Sequence, residues 1–160
     1  MIARQELVII LHNVRSLHNV GSVLRTADGV GAVKVYMTGY TPSPTDEMGR
    51  TRKEIAKTAL GAESSVTWEH VPDISRLVAK LKKEGFFIVA LEQSGRAVDY
   101  RVFRPQFPLA LIAGNEVRGL SGALLEKTNA CVMLPMRGKK ESLNVSVAVA
   151  IAAYRLTDTR

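Results

Sequence analysis

Three short polar stretches hold the residue types that could do chemistry, and each follows an apolar run. The first is Asn13, Arg15, His18 and Asn19, with Arg25 a little further on. The second is Gly114-Asn115-Glu116, and the third is Arg137-Gly138-Lys139-Lys140 followed by Ser142 and Asn144. Arginines and lysines beside polar loops suit phosphates and other anions. Glu116 stands where a carboxylate could orient a neighbouring arginine. Gly114 either lets a ligand approach the backbone closely or makes a turn. A helical arginine such as Arg25 is by default a solvated charge. Its neighbours, however, form a polar loop just after a buried strand, where open α/β sheets bind ligands. His12 and His18 are tempting as bases, but no Ser/His/Asp or metal-ligand spacing supports either, and no metal is expected. The single cysteine, Cys131, reads as a small buried hydrophobe; alone it makes neither an intramolecular disulfide nor a zinc cluster. Neither GxGxxG nor GxxxxGK[ST] occurs, so a nucleotide-like cofactor would need another device.

The elements that must position these residues follow from the apolar pattern. Glu6–Leu11 is a continuous apolar run of strand length. A loop over Asn13–Asn19 leads to a helix over Val20–Val30, with Asn19 as N-cap and Gly29 and Gly31 closing it. Val33–Thr38 is the next strand, which makes a right-handed crossover unit. Tyr40–Met48 has two prolines and is a loop long enough to be functional. Arg50, Arg52, Lys53 and Lys57 then accompany a short helix ending near Gly61. They are either a solvated face or a phosphate-contact patch. Ser65–Trp68 is expected as a strand, Asp73–Glu84 as an amphipathic helix stopped by Gly85, and Phe86–Leu91 and Leu109–Ala113 as buried strands. Cys131–Leu134 is a further strand, broken by Pro135. Ser142 and Asn144 are both good N-caps for a helix whose stretch from Leu143 to Tyr154 holds no charge. Such a helix must be covered on most faces, and a partner subunit is one way to do so.

The pattern predicts an α/β protein with a mainly parallel sheet of about six strands and helices on both faces. A chain of 160 residues fits one domain, and no repeat, linker or low-complexity stretch argues for a second. With 22 Lys and Arg against 15 Asp and Glu, the formal charge is +7, which favours a polyanionic partner such as RNA or DNA. No signal peptide or membrane segment is recognisable, so a cytoplasmic protein without membrane contact is expected.

Three segments in order resemble the motifs of the SpoU (TrmH-like) branch of the SPOUT RNA methyltransferases. Asn13 with Asn19-Val20-Gly21-Ser22-Val23-Leu24-Arg25-Thr26-Ala27-Asp28 resembles the first, and Ala113-Gly114-Asn115-Glu116-Val117-Arg118-Gly119-Leu120 the second. Leu134-Pro135-Met136-Arg137-Gly138 with Ser142-Leu143-Asn144-Val145-Ser146-Val147-Ala148 resembles the third. The resemblance spans nearly the whole chain. It implies a single SPOUT domain with a C-terminal trefoil knot, a topology that general rules disfavour. It also implies S-adenosyl-L-methionine (AdoMet) as cofactor and a homodimer packed through the C-terminal helix. Matched residue by residue, Leu91, Glu92, Gly114, Leu134, Met136 and Leu143 would hold AdoMet. Asn19, Arg25, Glu116, Ser142 and Asn144 would form the catalytic set. Many members carry an added RNA-binding domain, and none is recognisable here. RNA capture is therefore assigned to Arg15, Arg50, Arg52, Lys53, Arg137, Lys139 and Lys140.

Methyl transfer from a sulfonium to a ribose 2′-hydroxyl of tRNA or rRNA needs alignment, a proton acceptor and charge stabilisation. A guanidinium with a pKa above about 12 is a poor base. Arg25 is therefore read as binding the adjacent phosphate and stabilising the developing alkoxide, with Glu116 orienting it and Ser142 and Asn144 holding the ribose. Two alternatives stay open: methylation of a base by the same fold, and a non-catalytic RNA-binding or assembly protein.

Overall fold

The computed structural model describes residues 5–158. Its centre is one sheet of seven strands in the order β3-β2-β1-β6-β4-β7-β5, with every paired neighbour parallel. The strands are β1 (Leu7–His12), β2 (Lys34–Thr38), β3 (Trp68–Val71), β4 (Phe87–Leu91), β5 (Val98–Asp99), β6 (Leu109–Ala113) and β7 (Ala130–Met133). The helices are α1 (Leu17–Val30), α2 (Lys53–Ala59), α3 (Ala62–Ser65), α4 (Ile74–Lys83), α5 (Gly122–Glu126) and α6 (Val145–Thr157).

The continuous apolar runs of β1, β4 and β6 arise because both faces of the sheet are covered. Leu7, Ile9 and Leu11 point to one face with Val89, Leu111 and Val132, and there they meet α1, α2, α3 and α6. Val8 and Ile10 point to the other with Ile88, Ala90, Ala110 and Ile112, beneath α4 and α5. Ile9 and Ile10 are fully buried on opposite faces. Such side chains contribute about 1.5–3 kcal/mol each, so neither face is optional.

Several expectations change at their edges. The first helix begins three residues early, because the Ser16 hydroxyl, not Asn19, accepts the cap hydrogen bond, from Asn19 N at 3.2 Å. Asn19 thereby moves into the first turn of α1. Ser65–Trp68 is not a strand: Gly61 at φ 94° starts the single turn Ala62–Ser65, and pairing begins only at Trp68. The additional strand, β5 at Val98–Asp99, is too short for any periodicity to reveal. Asn144, rather than Ser142, caps α6, its Oδ1 accepting from Ser146 N at 2.9 Å and Val147 N at 3.4 Å.

α1 lies against α2 unusually closely at Gly21, where a Cβ would run into Thr58 Oγ1 and Ile55 O. α6 buries Val149, Ala152, Ala153 and Leu156 but leaves Val147 and Tyr154 exposed at 46% and 54%, and Leu143, just before its cap, is exposed at 40%. Part of the helix's apolar surface is thus left uncovered by its own chain. Among the described residues no helix is long and apolar enough to cross a membrane.

Candidate active site

Parallel strands deliver their following loops to one edge of the sheet, and the neighbours β6, β4 and β7 do so side by side. The loops after these strands and the start of α6 enclose a cleft. Its apolar walls are Leu91, Ala113, Leu134, Leu143, Val145 and Ala148; its polar positions include Glu92, Gln93, Asn115, Glu116 and Ser142. The cleft encloses about 130 Å³ and opens past Val117 and Leu143.

The three loops are tied together by side chains acting on backbone. Glu92 Oε2 accepts from Leu120 N at 2.8 Å and Gln93 Nε2 donates to Leu134 O at 2.7 Å. Gly114 has no room for a side chain, since a Cβ would lie 2.6 Å from Leu120 Cδ2. That turn and the close approach of the 114–120 loop to β4 are therefore one feature.

A chain of polar contacts runs along the cleft's rim. Glu116 Oε1 accepts from Ser16 N at 3.1 Å and from Asn19 Nδ2 at 3.3 Å, while Oε2 accepts from Arg15 N at 3.2 Å. Asn19 Oδ1 accepts in turn from Asn144 Nδ2 at 3.1 Å. Burial pushes the Glu116 pKa up, but hydrogen bonds from its own amide, Ser16, Arg15 and Asn19 outweigh this and hold it below the usual carboxylate value. The carboxylate is ionised at neutral pH and clasps the start of α1.

Asn19, Glu116 and Asn144 are thus brought together from parts of the chain far apart in sequence, and Ser142 lines the same cleft. Arg25 is not with them. It lines a separate open groove with Ser22, Gly29, Lys57, Leu60 and Tyr154, between α1, α2 and the outer side of α6. The expected contact between Glu116 and Arg25 is replaced, within one chain, by the Arg15, Ser16 and Asn19 contacts. The reason is helical geometry: six residues at 3.6 per turn rotate about 240°, so Asn19 and Arg25 face different ways.

Of the residues matched to the cofactor, Leu91, Glu92, Gly114, Leu134 and Leu143 line the cleft, and Met136 is not among the lining residues. Gln93, Gly119, Met133 and Ala148 line it without having been singled out. Arg137, Lys139 and Lys140 are exposed on the loop leading into Ser142. Arg50 is paired to Asp46 at 2.9 Å, and Arg52 sits at the N-cap of α2 with its Nε buried. Lys53 is exposed at the start of the same helix. Burial holds the His12 imidazole below its usual pKa, and its Nδ1 lies 2.9 Å from Thr38 Oγ1. Burial pushes the Cys131 thiol up, which leaves it an inert packing residue. Among the described residues no group of three or more His, Cys, Asp or Glu could hold a metal ion.

A parallel α/β sheet with a cleft across three adjacent loops is the architecture of a ligand-binding enzyme domain. Residues 6–154 match the model of the SpoU rRNA Methylase family, and the chain belongs to that family. The TrmH family protein YacO of Bacillus subtilis (strain 168) is 34% identical over 152 residues, which is 95% of this chain and 58% of YacO. The chain therefore spans little more than half the length of such curated relatives. The AdoMet-bound rRNA methyltransferase from Sinorhizobium meliloti superposes with a TM-score of 0.85 at 26% identity, over 94% of this chain and 55% of that one. An RNA 2′-O ribose methyltransferase superposes with a TM-score of 0.83 at 27% identity, over 96% of this chain and 56% of that one.

Proposed function

We propose that this chain is an AdoMet-dependent methyltransferase acting on a ribose 2′-hydroxyl of tRNA or rRNA. The observation that carries the proposal is the meeting of Asn19, Glu116 and Asn144 at the lip of a cleft built from the loops after β4, β6 and β7. The cleft suits the cofactor in kind: apolar walls from Leu91, Leu134, Leu143 and Ala148, backbone groups from three loops, and a glycine at position 114. A single SPOUT domain with the C-terminal segment threaded as a trefoil knot belongs to the same reading, as the family's typical architecture.

Bound there, AdoMet supplies an electrophilic methyl group. The chain's own residues do the rest. Asn144 and Ser142, at the entrance to α6, hold the ribose. Glu116 keeps Asn19 and the start of α1 in place. Arg25 binds the neighbouring phosphate and stabilises the alkoxide as it forms, while that phosphate or transiently deprotonated Arg25 takes the proton.

Since Arg25 faces away from its own cleft, the reading includes a homodimer in which Arg25 of one subunit serves the cleft of the other. The exposed Val147 and Tyr154 on α6, with Leu143 just before it, support this, because Tyr154 also lines the Arg25 groove. RNA is held through Arg15 and through the cations of the 50–57 and 137–140 segments.

Calorimetry with AdoMet, followed by methyl transfer to RNA from cells lacking this protein, tests the proposal. Mass mapping of the product nucleosides is expected to place the methyl on ribose. A methyl on a base would overturn the ribose assignment, and no AdoMet binding would leave a non-catalytic RNA-binding protein.

A further inference from the structure

Beside the cleft, and sharing Asn115, Glu116 and Val117 with it, lies a second open groove completed by Arg15, Tyr40 and Arg118. Its most unusual member is Tyr40, 56% exposed yet hydrogen-bonded at both its backbone N–H and its hydroxyl. The backbone N–H of Tyr40 donates to Asn13 Oδ1 at 3.1 Å, and its hydroxyl accepts from Asn115 Nδ2 at 2.9 Å. On one side of it Gly39 N donates to Pro72 O at 3.0 Å; on the other, buried Thr41 donates to Leu11 O at 2.7 Å and accepts from Val14 N at 3.0 Å. Asn13 holds a positive φ of 55°, which few non-glycine residues adopt, while Gly39 takes φ 61° without strain.

Asn115 is the hub. Its Nδ2 donates to Asn13 O at 3.0 Å as well as to Tyr40, and its Oδ1 accepts from Val117 N and Arg118 N at 2.9 and 2.8 Å. Its two donors join the loop after β6 to those after β1 and β2, and its acceptor shapes its own loop. The product is an aromatic ring held rigid in solvent next to the cofactor cleft. Two guanidinium groups, Arg15 and Arg118, border it, and among the described residues neither forms an ion pair. A ring exposed this far contributes little to the core, and one already immobile loses little entropy when a partner covers it.

We infer that Tyr40 is a stacking platform for a nucleobase of the RNA substrate, with Arg15 and Arg118 holding the adjoining phosphates. The inference rests on the proposed RNA methyl transfer and adds how the substrate nucleotide is positioned without base-specific contacts. Stacking on an aromatic side chain together with flanking cations suits an unpaired nucleotide of any base.

The test compares Tyr40→Ala, Tyr40→Phe and Tyr40→Trp in the full chain, using RNA from cells lacking this protein. Tyr40→Ala is expected to raise the KM for RNA about 10- to 100-fold while AdoMet affinity stays as in wild type. Tyr40→Phe and Tyr40→Trp, which keep a ring but lose the hydroxyl's contact with Asn115, are expected to lose much less than Tyr40→Ala. If Tyr40→Phe is as damaged as Tyr40→Ala, the hydroxyl's bond to Asn115 is what matters and the platform is refuted; an unchanged Tyr40→Ala refutes it too. A turnover-free readout separates this from the activity itself. In Tyr40→Trp combined with Trp68→Phe, indole emission should be quenched by a short single-stranded oligoadenylate. Absence of quenching overturns the inference even if methyl transfer is intact. Quenching without any methyl transfer by wild type overturns the enzymatic reading and leaves the platform standing.

Discussion

Glu116 shows how one side chain can matter through what it holds. Its carboxylate receives two backbone amides and the Asn19 amide, which keeps its pKa below the 4.5 of a free glutamate. For a carboxylate lowered on folding, the stabilisation is present above the unfolded value and is lost as pH falls through the folded one. Glu116→Gln should therefore be less stable than wild type at neutral pH. In urea titrations the gap should narrow as pH falls below the unfolded value and close once the folded-state carboxylate is protonated. A gap that stays constant across this range would mean the charge is not what the start of α1 uses. This role was only partly legible in the sequence. Glu116 stood out as a carboxylate just beyond a strand, but the expected arginine partner overlooked the rotation between positions 19 and 25 of a helix. Tyr40 and Asn115 gave still less signal, because their importance arises where three loops distant in sequence meet.

At the scale of elements, the central strands were readable because parallel strands covered on both faces are apolar throughout, as in ELVIIL and LALIA. The short pieces were not: a two-residue strand and a single helical turn have no period. The seam between α1 and α2 likewise depends on a glycine that sequence reading passed over. Gly21→Ala puts a Cβ against Ile55 O and Thr58 Oγ1, and that backbone cannot move without shifting α2. Overpacking of this kind costs about 1–3 kcal/mol, to be read from the denaturation midpoint. No loss would mean that the two helices are not locked at this point. The basic segments also differ in what they can offer RNA. Arg50 already faces Asp46, whereas Lys139 and Lys140 are exposed on the loop into Ser142. Lys139→Ala and Lys140→Ala should each flatten the log–log salt dependence of RNA binding by about 0.7–0.9, and Arg50→Ala by less. Equal effects from all three would show that the Asp46 pairing does not hold in the complex.

For the whole molecule, the charge-free stretch from Leu143 to Tyr154 pointed to more cover than one small subunit provides, and that stretch does leave Leu143, Val147 and Tyr154 exposed. The sequence could not show that Arg25 would face that same side, since this needs the angle of α1 against α6. In the proposed dimer, one subunit's Asn19–Glu116–Asn144 cluster works with the other's Arg25. Subunit mixing tests this most directly. Arg25→Ala and Asn144→Ala proteins, each inactive alone, are combined under conditions where mass spectrometry of tagged chains confirms exchange. In a heterodimer one cleft then contains both lesions and the other contains neither. Random exchange makes about half of the dimers mixed, each with one sound site, so methyl transfer should return to about a quarter of the wild-type rate. Verified exchange with no recovered activity would mean that each site belongs to a single chain, and would contradict the shared site.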